Sequence, residues 1–439
     1  MTKNLSTLLF SLIATCVLFA GCSANRRLSK SLKGVFNKSE VLSHYQPGFA
    51  LYDLSGAQMI FEFNADKYYT PASNTKLFTF YAGLKMMSDS IPALRYIERG
   101  DSLIFWGTGD PSFLQSELKQ RKTLDFLSAS PKQLVLASGR YKGNFYGKGW
   151  QWDDYNDYYQ AEINEFPIMD NLVDLRTEAG LLKISPSIFK ENFKPDSTSI
   201  NKTFRVTRDF LKNDFTYPPI VVPDGFNQKV PFKVSTETVL KILADTLKKP
   251  VGQINMAMPQ NAKTLYGIKS DSVLKEMMLP SDNFIAEQLL LVYADKLGAE
   301  LSADKAIEYI QKEYLGTLPD KFIWADGSGL SRYNLVTPRA IIKLLDLIYK
   351  EVNNTGRLYG MLPAGGMSGT LKNAYPKTNQ PFVFGKTGSL ANVHNQSGYV
   401  ITKKGKTFLF SFLNNSFTQP TAEIRKEMGR IITYVHDNY

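Results

Sequence analysis

Beyond residue 22 the 439-residue chain has no cysteine; its only two, Cys16 and Cys22, lie near the N-terminus. Disulfides are thereby excluded from the body, which must be held by a core that a chain of this length can build. Histidine is almost as scarce, with only His44, His394 and His436. No H-E-x-x-H and no Cys/His spacing occurs, so neither a metal site nor any other cofactor is indicated. The formal charge is +11, yet no long Lys/Arg run concentrates it, and the aromatic residues do not alternate with a basic stripe. That distribution argues against nucleic-acid binding and suits an anionic surface such as a membrane or cell wall. Internal repeats and low-complexity tracts are absent too.

The apolar run from Leu8 to Ala20 is short for a membrane span. Preceded by Lys3, it has the length of a signal-peptide core, and residues 1–21 are expected to be a removable signal peptide. Leu18-Phe19-Ala20-Gly21-Cys22 resembles a bacterial lipoprotein signal, which implies lipidation of Cys22. Phe19 stands where such signals usually carry leucine; the competing reading is ordinary cleavage at Ala20 or Gly21. Residues 22–40, basic and polar from Ser23 to Lys33, read as a tether that lifts the body from a membrane. The expected location is the bacterial cell envelope, in the periplasm on a lipid anchor.

Strand-like runs at Phe49–Asp53 and Met59–Asn64 flank the turn-rich Leu54 to Gln58 and predict a hairpin. Near the other end, Pro381–Phe384, Gly398–Thr402 and Thr407–Leu413 predict a meander, with a helix after it over Thr421–His436. Five strands at the two termini suggest one sheet built from both ends of the chain. Between them, residues 94–249 mix short apolar runs with aromatic, Gly/Asp/Asn/Pro-rich loops and read as a β-rich insertion. Apolar residues at helical spacing return in Ser272–Met278, Phe284–Leu297 and Ser302–Tyr314.

A serine with a lysine three positions later occurs six times, starting at Ser73, Ser116, Ser187, Ser199, Ser272 and Ser302. Ser73 has the most favourable setting. Thr70 can cap and Pro71 can open a helix continuing through Leu77, Phe78 and Tyr81, so Lys76 would share a face with the Ser73 hydroxyl. Two motifs further along the chain separate Ser73 from the rest. Ser281-Asp282-Asn283 comes after Pro280 at a helix junction, and Lys386-Thr387-Gly388 comes after the run Phe382-Val383-Phe384. Each is weak alone, since Ser-x-Asn recurs at Ser23 and Ser199. The ordered set S-x-x-K, S-D-N, K-T-G is the signature of active-site serine penicillin-binding proteins and class A β-lactamases.

The chain resembles the low-molecular-mass class C penicillin-binding proteins, the D-alanyl-D-alanine carboxypeptidase/endopeptidase family, from about Gln46 to Asn415. Gly107-Thr108-Gly109-Asp110-Pro111, Gly149 to Asp154, Asp326 to Arg332 and Gly369-Thr370-Leu371 are similar to further segments of that family. The long interval from Ser73 to Ser281 fits its inserted domains. The resemblance implies an α+β fold of the transpeptidase and β-lactamase kind, with a five-stranded antiparallel sheet flanked by helices. A catalytic domain of residues 41–93 and 250–439 would carry the 94–249 insertion. It implies that Ser73 attacks the bond between two D-alanines of peptidoglycan stem peptides and forms an acyl-enzyme, with Lys76 as base. Ser281 would pass a proton to the leaving amine, Asn283 would orient the substrate amide, and Lys386, Thr387, Gly388 and Ser389 would line the carboxylate site. Penicillins and other β-lactams would acylate the same serine. Ala391 to Ser397 is less apolar than its counterpart in the family, and His394 reads as a loop residue there. Asp110, Asp153 and Asp154 read as turn formers and Glu287 as a structural helix residue. The rivals are a β-lactamase, for which no deacylating glutamate is identified, and a wall-binding protein with a vestigial site.

Overall fold

A hydrophobic residue at every second position makes Phe408, Phe410 and Phe412 share one face of a strand, as Phe49 and Leu51 do in another. In the computed structural model, which describes residues 25–439, these strands are neighbours. The signal-peptide and Cys22 expectations lie outside the described residues. The chain divides into two compact units, one holding the described residues up to Leu77 with Thr317–Ile323 and Asn334–Tyr439, the other holding Phe78–Gly316 and Trp324–Tyr333.

The first unit is organised on one antiparallel five-stranded sheet. Its strands are β1 (Gly48–Asp53), β2 (Gln58–Phe63), β3 (Val383–Leu390), β4 (Val393–Ile401) and β5 (Thr407–Leu413), in the order β3-β4-β5-β1-β2. All five strands expected from the two termini are present and in one sheet, joined where β1 pairs with β5 from Gly48↔Leu413 to Asp53↔Phe408. One face buries Phe49, Leu51, Phe408, Phe410 and Phe412 under Ile424, Met428, Ile431 and Val435 of the helix Thr421–Asn438. The helix Pro338–Val352 packs against β1 and β5, and the Tyr399 hydroxyl donates to Leu345 O at 2.9 Å.

Part of the expected tether is instead structural. Residues 25–38 are helical, and Leu28, Leu32 and Phe36, spaced by four, join the core under the sheet with exposures of 0%, 0% and 4%. Each such burial contributes about 1.5–3 kcal/mol, which outweighs the solvation preference of the Arg26, Arg27, Lys30 and Lys33 side chains that share the helix.

In the second unit, the strand order Val251–Ile254, Gln133–Ala137, Ser102–Gly107, Ser90–Arg99, Lys263–Lys269 forms a mixed five-stranded sheet, with two smaller three-stranded sheets nearby in sequence. Its central helix, Asn283–Leu297, is buried from Phe284 through Asp295. A helix buried on all sides must satisfy its few polar groups within the protein, and this one does. Asp295 pairs with Arg95 at 2.6 Å and Arg140 at 2.7 Å, while Gln288 Nε2 donates to Gly109 O and Asn164 O.

Candidate active site

The segment entering Ser73 is fixed at Thr70 through both backbone groups. Thr70 N–H donates to Asn415 Oδ1 at 2.7 Å, and its carbonyl accepts from Asn395 Nδ2 at 2.9 Å. Ala72 then takes a left-handed φ of 47°, a conformation costing an alanine about 1 kcal/mol or more. This redirects the chain, so the expected capping by Thr70 does not occur. Ala72–Thr75 is a 3₁₀ turn that runs into the α-helix Lys76–Met86. Asn74, inside the turn, donates from Nδ2 to Ser397 Oγ at 3.0 Å, and Ser397 Oγ donates to Ser411 Oγ at 3.0 Å. The turn is thus anchored to the middle of the sheet.

Ser73 is partly exposed, whereas Asn74, Thr75 and Lys76 are buried. Lys76 Nζ lies 3.1 Å from Ser73 Oγ. A buried amine at that distance can take the hydroxyl proton once it is neutral.

The sheet edge β3 supplies the third motif, expected after the strand and found within it. Lys386 is fully buried and its Nζ donates to Thr387 O at 2.7 Å. Burial, and then the Lys76 charge, hold the Lys386 amine well below the ordinary lysine range. Two ammonium groups in one desolvated region oppose each other, which favours a neutral amine on one of them. Thr387 Oγ1 donates to Thr370 Oγ1 at 2.7 Å, which places the Gly369-Thr370-Leu371 segment beside the motif. At Gly388 a Cβ would lie 2.7 Å from Pro71 O, 2.7 Å from Ser73 N and 2.9 Å from Asn74 N. Only glycine lets β3 come this close to the serine turn.

His394, expected in a loop, belongs to β4 and is 5% exposed. Its Nδ1 lies 2.8 Å from Ser389 Oγ, across the paired positions Ser389↔His394. Burial, with the Arg425 charge nearby, pushes its pKa down to about 4, so the ring is neutral at pH 7. Nothing in residue order marks this stretch as a strand: His394, Asn395, Gln396 and Ser397 are all buried, so the polar-apolar alternation of a half-exposed strand is missing.

Ser281 and Asn283 sit together in the second unit. Ser281 adopts φ 69°, Asp282 caps the helix by accepting from Ile285 N–H at 2.8 Å, and Asn283 opens it, its Nδ2 donating to Tyr159 O at 3.1 Å. The sheet unit therefore gathers Ser73, Lys76, Lys386, Thr387, Gly388 and Ser389, and the second unit gathers the S-D-N pair.

The other family-like segments converge within the second unit. Trp150 Nε1 donates to Asp326 Oδ2 at 2.9 Å, and Glu287 accepts from Gly327 N–H at 3.0 Å and Ser328 N–H at 2.7 Å. Burial and the neighbouring Asp326 raise the Glu287 pKa to about 8. Asp110 Oδ1 accepts from Ser112 N–H, and burial raises its pKa to about 7. Among the described residues no cluster of three or more His, Cys, Asp or Glu side chains could hold a metal ion, and no helix is long and apolar enough to cross a membrane.

The chain is 25% identical to D-alanyl-D-alanine carboxypeptidase DacB of Haemophilus influenzae, covering 89% of this chain and 90% of that protein. It is 24% identical to penicillin-sensitive carboxypeptidase A of Dictyostelium discoideum, covering 82% and 81%. Among solved structures, penicillin binding protein 4 (dacB) of H. influenzae superposes with a TM-score of 0.72 at 20% identity, covering 92% of this chain and 99% of that one. The same protein complexed with a β-lactam gives 0.64 at 21% identity, covering 89% and 96%. The α+β fold implied by the family resemblance is therefore the fold observed. By its match over residues 28–435, the chain belongs to the D-Ala-D-Ala carboxypeptidase 3 (S13) family.

Proposed function

We propose that this chain removes the terminal D-alanine from peptidoglycan stem peptides through an acyl-enzyme on Ser73. The observation that carries the reading is the 3.1 Å contact between a buried Lys76 amine and the partly exposed Ser73 hydroxyl, beside a second buried lysine. Lys76 takes the Ser73 proton as Oγ bonds to the carbonyl carbon. The oxygen of that carbonyl receives the backbone N–H groups of Ser73 and Ser389, an arrangement supported by the close approach of β3 to the Ser73 turn at Gly388. Ser281 passes a proton to the leaving amine and Asn283 orients the substrate amide. Lys386, Thr387 and Ser389 hold the terminal carboxylate; its arrival provides the counter-charge that burial withholds from Lys386. Water then frees Ser73.

Penicillin is expected to enter by the same attack and stay as an adduct. In the proposed domain plan, residues 41–93 and 250–439 are catalytic and 94–249 are the insertion. The proposed setting is the cell envelope, with residues 1–21 removed and Cys22 lipidated; replacing Cys22 by serine should abolish incorporation of labelled fatty acid.

The test of the catalytic reading is mass spectrometry of the mature protein with benzylpenicillin over time, in parallel with D-alanine release from a stem pentapeptide. A lasting adduct on Ser73 and D-alanine release, both lost in Ser73→Ala, are expected. Rapid turnover of the adduct without D-alanine release would point to a β-lactamase, and neither reaction would refute the enzyme.

A further inference from the structure

A hydroxyl that holds a carboxylate must turn its own proton toward it, and at Ser389 a buried ring controls that direction. Ser389 and His394 are directly paired in the antiparallel register of β3 and β4, which brings their side chains together on one face. Ser389 Oγ lies 2.8 Å from His394 Nδ1, with the serine exposed and the histidine buried. The ring has little freedom. His394 N–H donates to Asn414 O at 2.9 Å, its carbonyl accepts from Asn414 Nδ2 at 2.9 Å, and close packing confines the side chain. Counting protons shows why the direction of this bond matters. Thr387 Oγ1 already donates to Thr370 Oγ1 at 2.7 Å, and Ser389 has a single hydroxyl proton. Were that proton given to His394, Ser389 would show a carboxylate only lone pairs. The ring is neutral at pH 7, so its own proton sits on one nitrogen and leaves the other as an acceptor.

We propose that His394 is a positioning residue for carboxylate recognition: its Nδ1–H donates to Ser389 Oγ and so turns the Ser389 O–H toward the terminal carboxylate of the substrate. The inference rests on the carboxypeptidase reading and adds a specificity determinant to it. The arriving carboxylate selects this tautomer, because the other one sets serine lone pairs against a negative charge. The net charge of the Ser389–His394 pair stays the same in both; only the nitrogen that carries the proton differs. His394 acts through Ser389 and does not touch the reacting atoms. Its contribution is therefore confined to substrates that bring a carboxylate, and a ligand without one gains nothing from it.

The mature enzyme, His394→Phe and His394→Asn are acylated with benzylpenicillin and with its methyl ester, which lacks the carboxylate, and D-alanine release from a stem pentapeptide is followed in parallel. His394→Phe is expected to lose about tenfold in the acylation constant for the free acid and in kcat/KM on the pentapeptide, with ester acylation within about twofold of wild type. An asparagine can offer its Nδ2–H where histidine offers Nδ1–H, so His394→Asn should recover to within about threefold of wild type. Equal losses on acid and ester mark a merely structural ring and overturn the inference, as does full activity in His394→Phe or no recovery in His394→Asn. A second readout uses the wild-type penicilloyl adduct itself. With three histidines in the chain, nitrogen NMR can assign the His394 ring against His394→Asn. Its Nδ1 should carry the proton at pH 7, and a neutral ring protonated at Nε2 overturns the inference. A wild type that forms the adduct equally fast from acid and ester overturns it too and spares the acyl-enzyme. One that forms no adduct and releases no D-alanine refutes the carboxypeptidase reading, and this inference with it.

Discussion

Adding one methyl group at residue 388 tests how the serine turn and the sheet edge are held together. In Gly388→Ala the new Cβ would stand 2.7 Å from both Pro71 O and Ser73 N and 2.9 Å from Asn74 N, where ordinary contact begins at 3.4 Å. All three obstacles are backbone atoms, so no side chain can swing away. Relief requires β3 or the Ser73 turn to move by about 0.7 Å, against a turn already fixed through Thr70 and Asn74. Displacements near 1 Å cost a reacting group about 100-fold in rate, so acylation by benzylpenicillin should slow about 10- to 100-fold. Overpacking should also lower stability by about 1–3 kcal/mol. The assay is the second-order acylation constant from a fluorescent penicillin, with thermal melting in parallel. A variant acylating within about twofold of wild type, less than ~0.5 kcal/mol in barrier, would refute the view that this contact sets the geometry of Ser73.

The packing and the buried groups set further expectations. Leu32→Ala should cost about 2–4 kcal/mol in urea denaturation, because Leu32 is fully buried; a negligible change would return residues 25–38 to the role of a tether. By contrast Gly34→Ala, in the same helix with no atom within 4 Å of the added Cβ, should gain about 0.5–1 kcal/mol. His394 has its folded pKa lowered to about 4 from 6.5, so between those values the unfolded chain holds the extra proton and stability is lost as pH falls. The limiting loss is about 3 kcal/mol, and the denaturation midpoint of His394→Phe should fall less steeply over pH 6.5 to 4. Glu287 has the opposite sign: its folded pKa is raised to about 8 from 4.5, so its contribution declines as pH rises through that window. Melting temperatures of Glu287→Gln should accordingly depend less on pH between 5 and 8 than those of wild type, and equal slopes would count against a protonated Glu287.

The strands with alternating or continuous apolar residues were legible from residue order, and so was their pairing, since a sheet drawn from both termini has few ways to close. The three motifs could also be read, although Ser73 stood apart from five similar serines only through the S-D-N and K-T-G motifs downstream. Tertiary contacts set the features that stayed hidden. The β4 residues His394 to Ser397 carry polar groups on both faces, His394 satisfied by Ser389 across the hairpin and the other three by the distant Tyr375, Thr70 and Asn74, so no period of two appears. The 3₁₀ turn at Ala72 depends on Asn395 and Asn415, hundreds of residues away, and local preference alone favours an ordinary capped helix. Leu28, Leu32 and Phe36 did show helical spacing, but the lysines and arginines between them dominated the composition.

Because β1 is completed by β5, the centre of the sheet is one of the last things the chain can make. A ribosome has released Gly48 long before it reaches Leu413. Until then β1 and β2 form a hairpin with an open edge, marginal alone in water and exposed to wrong pairing. The Ser73 turn, which borrows Asn395, Ser397 and Asn415 from the far end of the chain, cannot take shape earlier. The turn is therefore withheld from every unfinished copy of the protein, and a chain lacking its last forty residues would keep Ser73 but lose β5 and the Asn415 that holds Thr70.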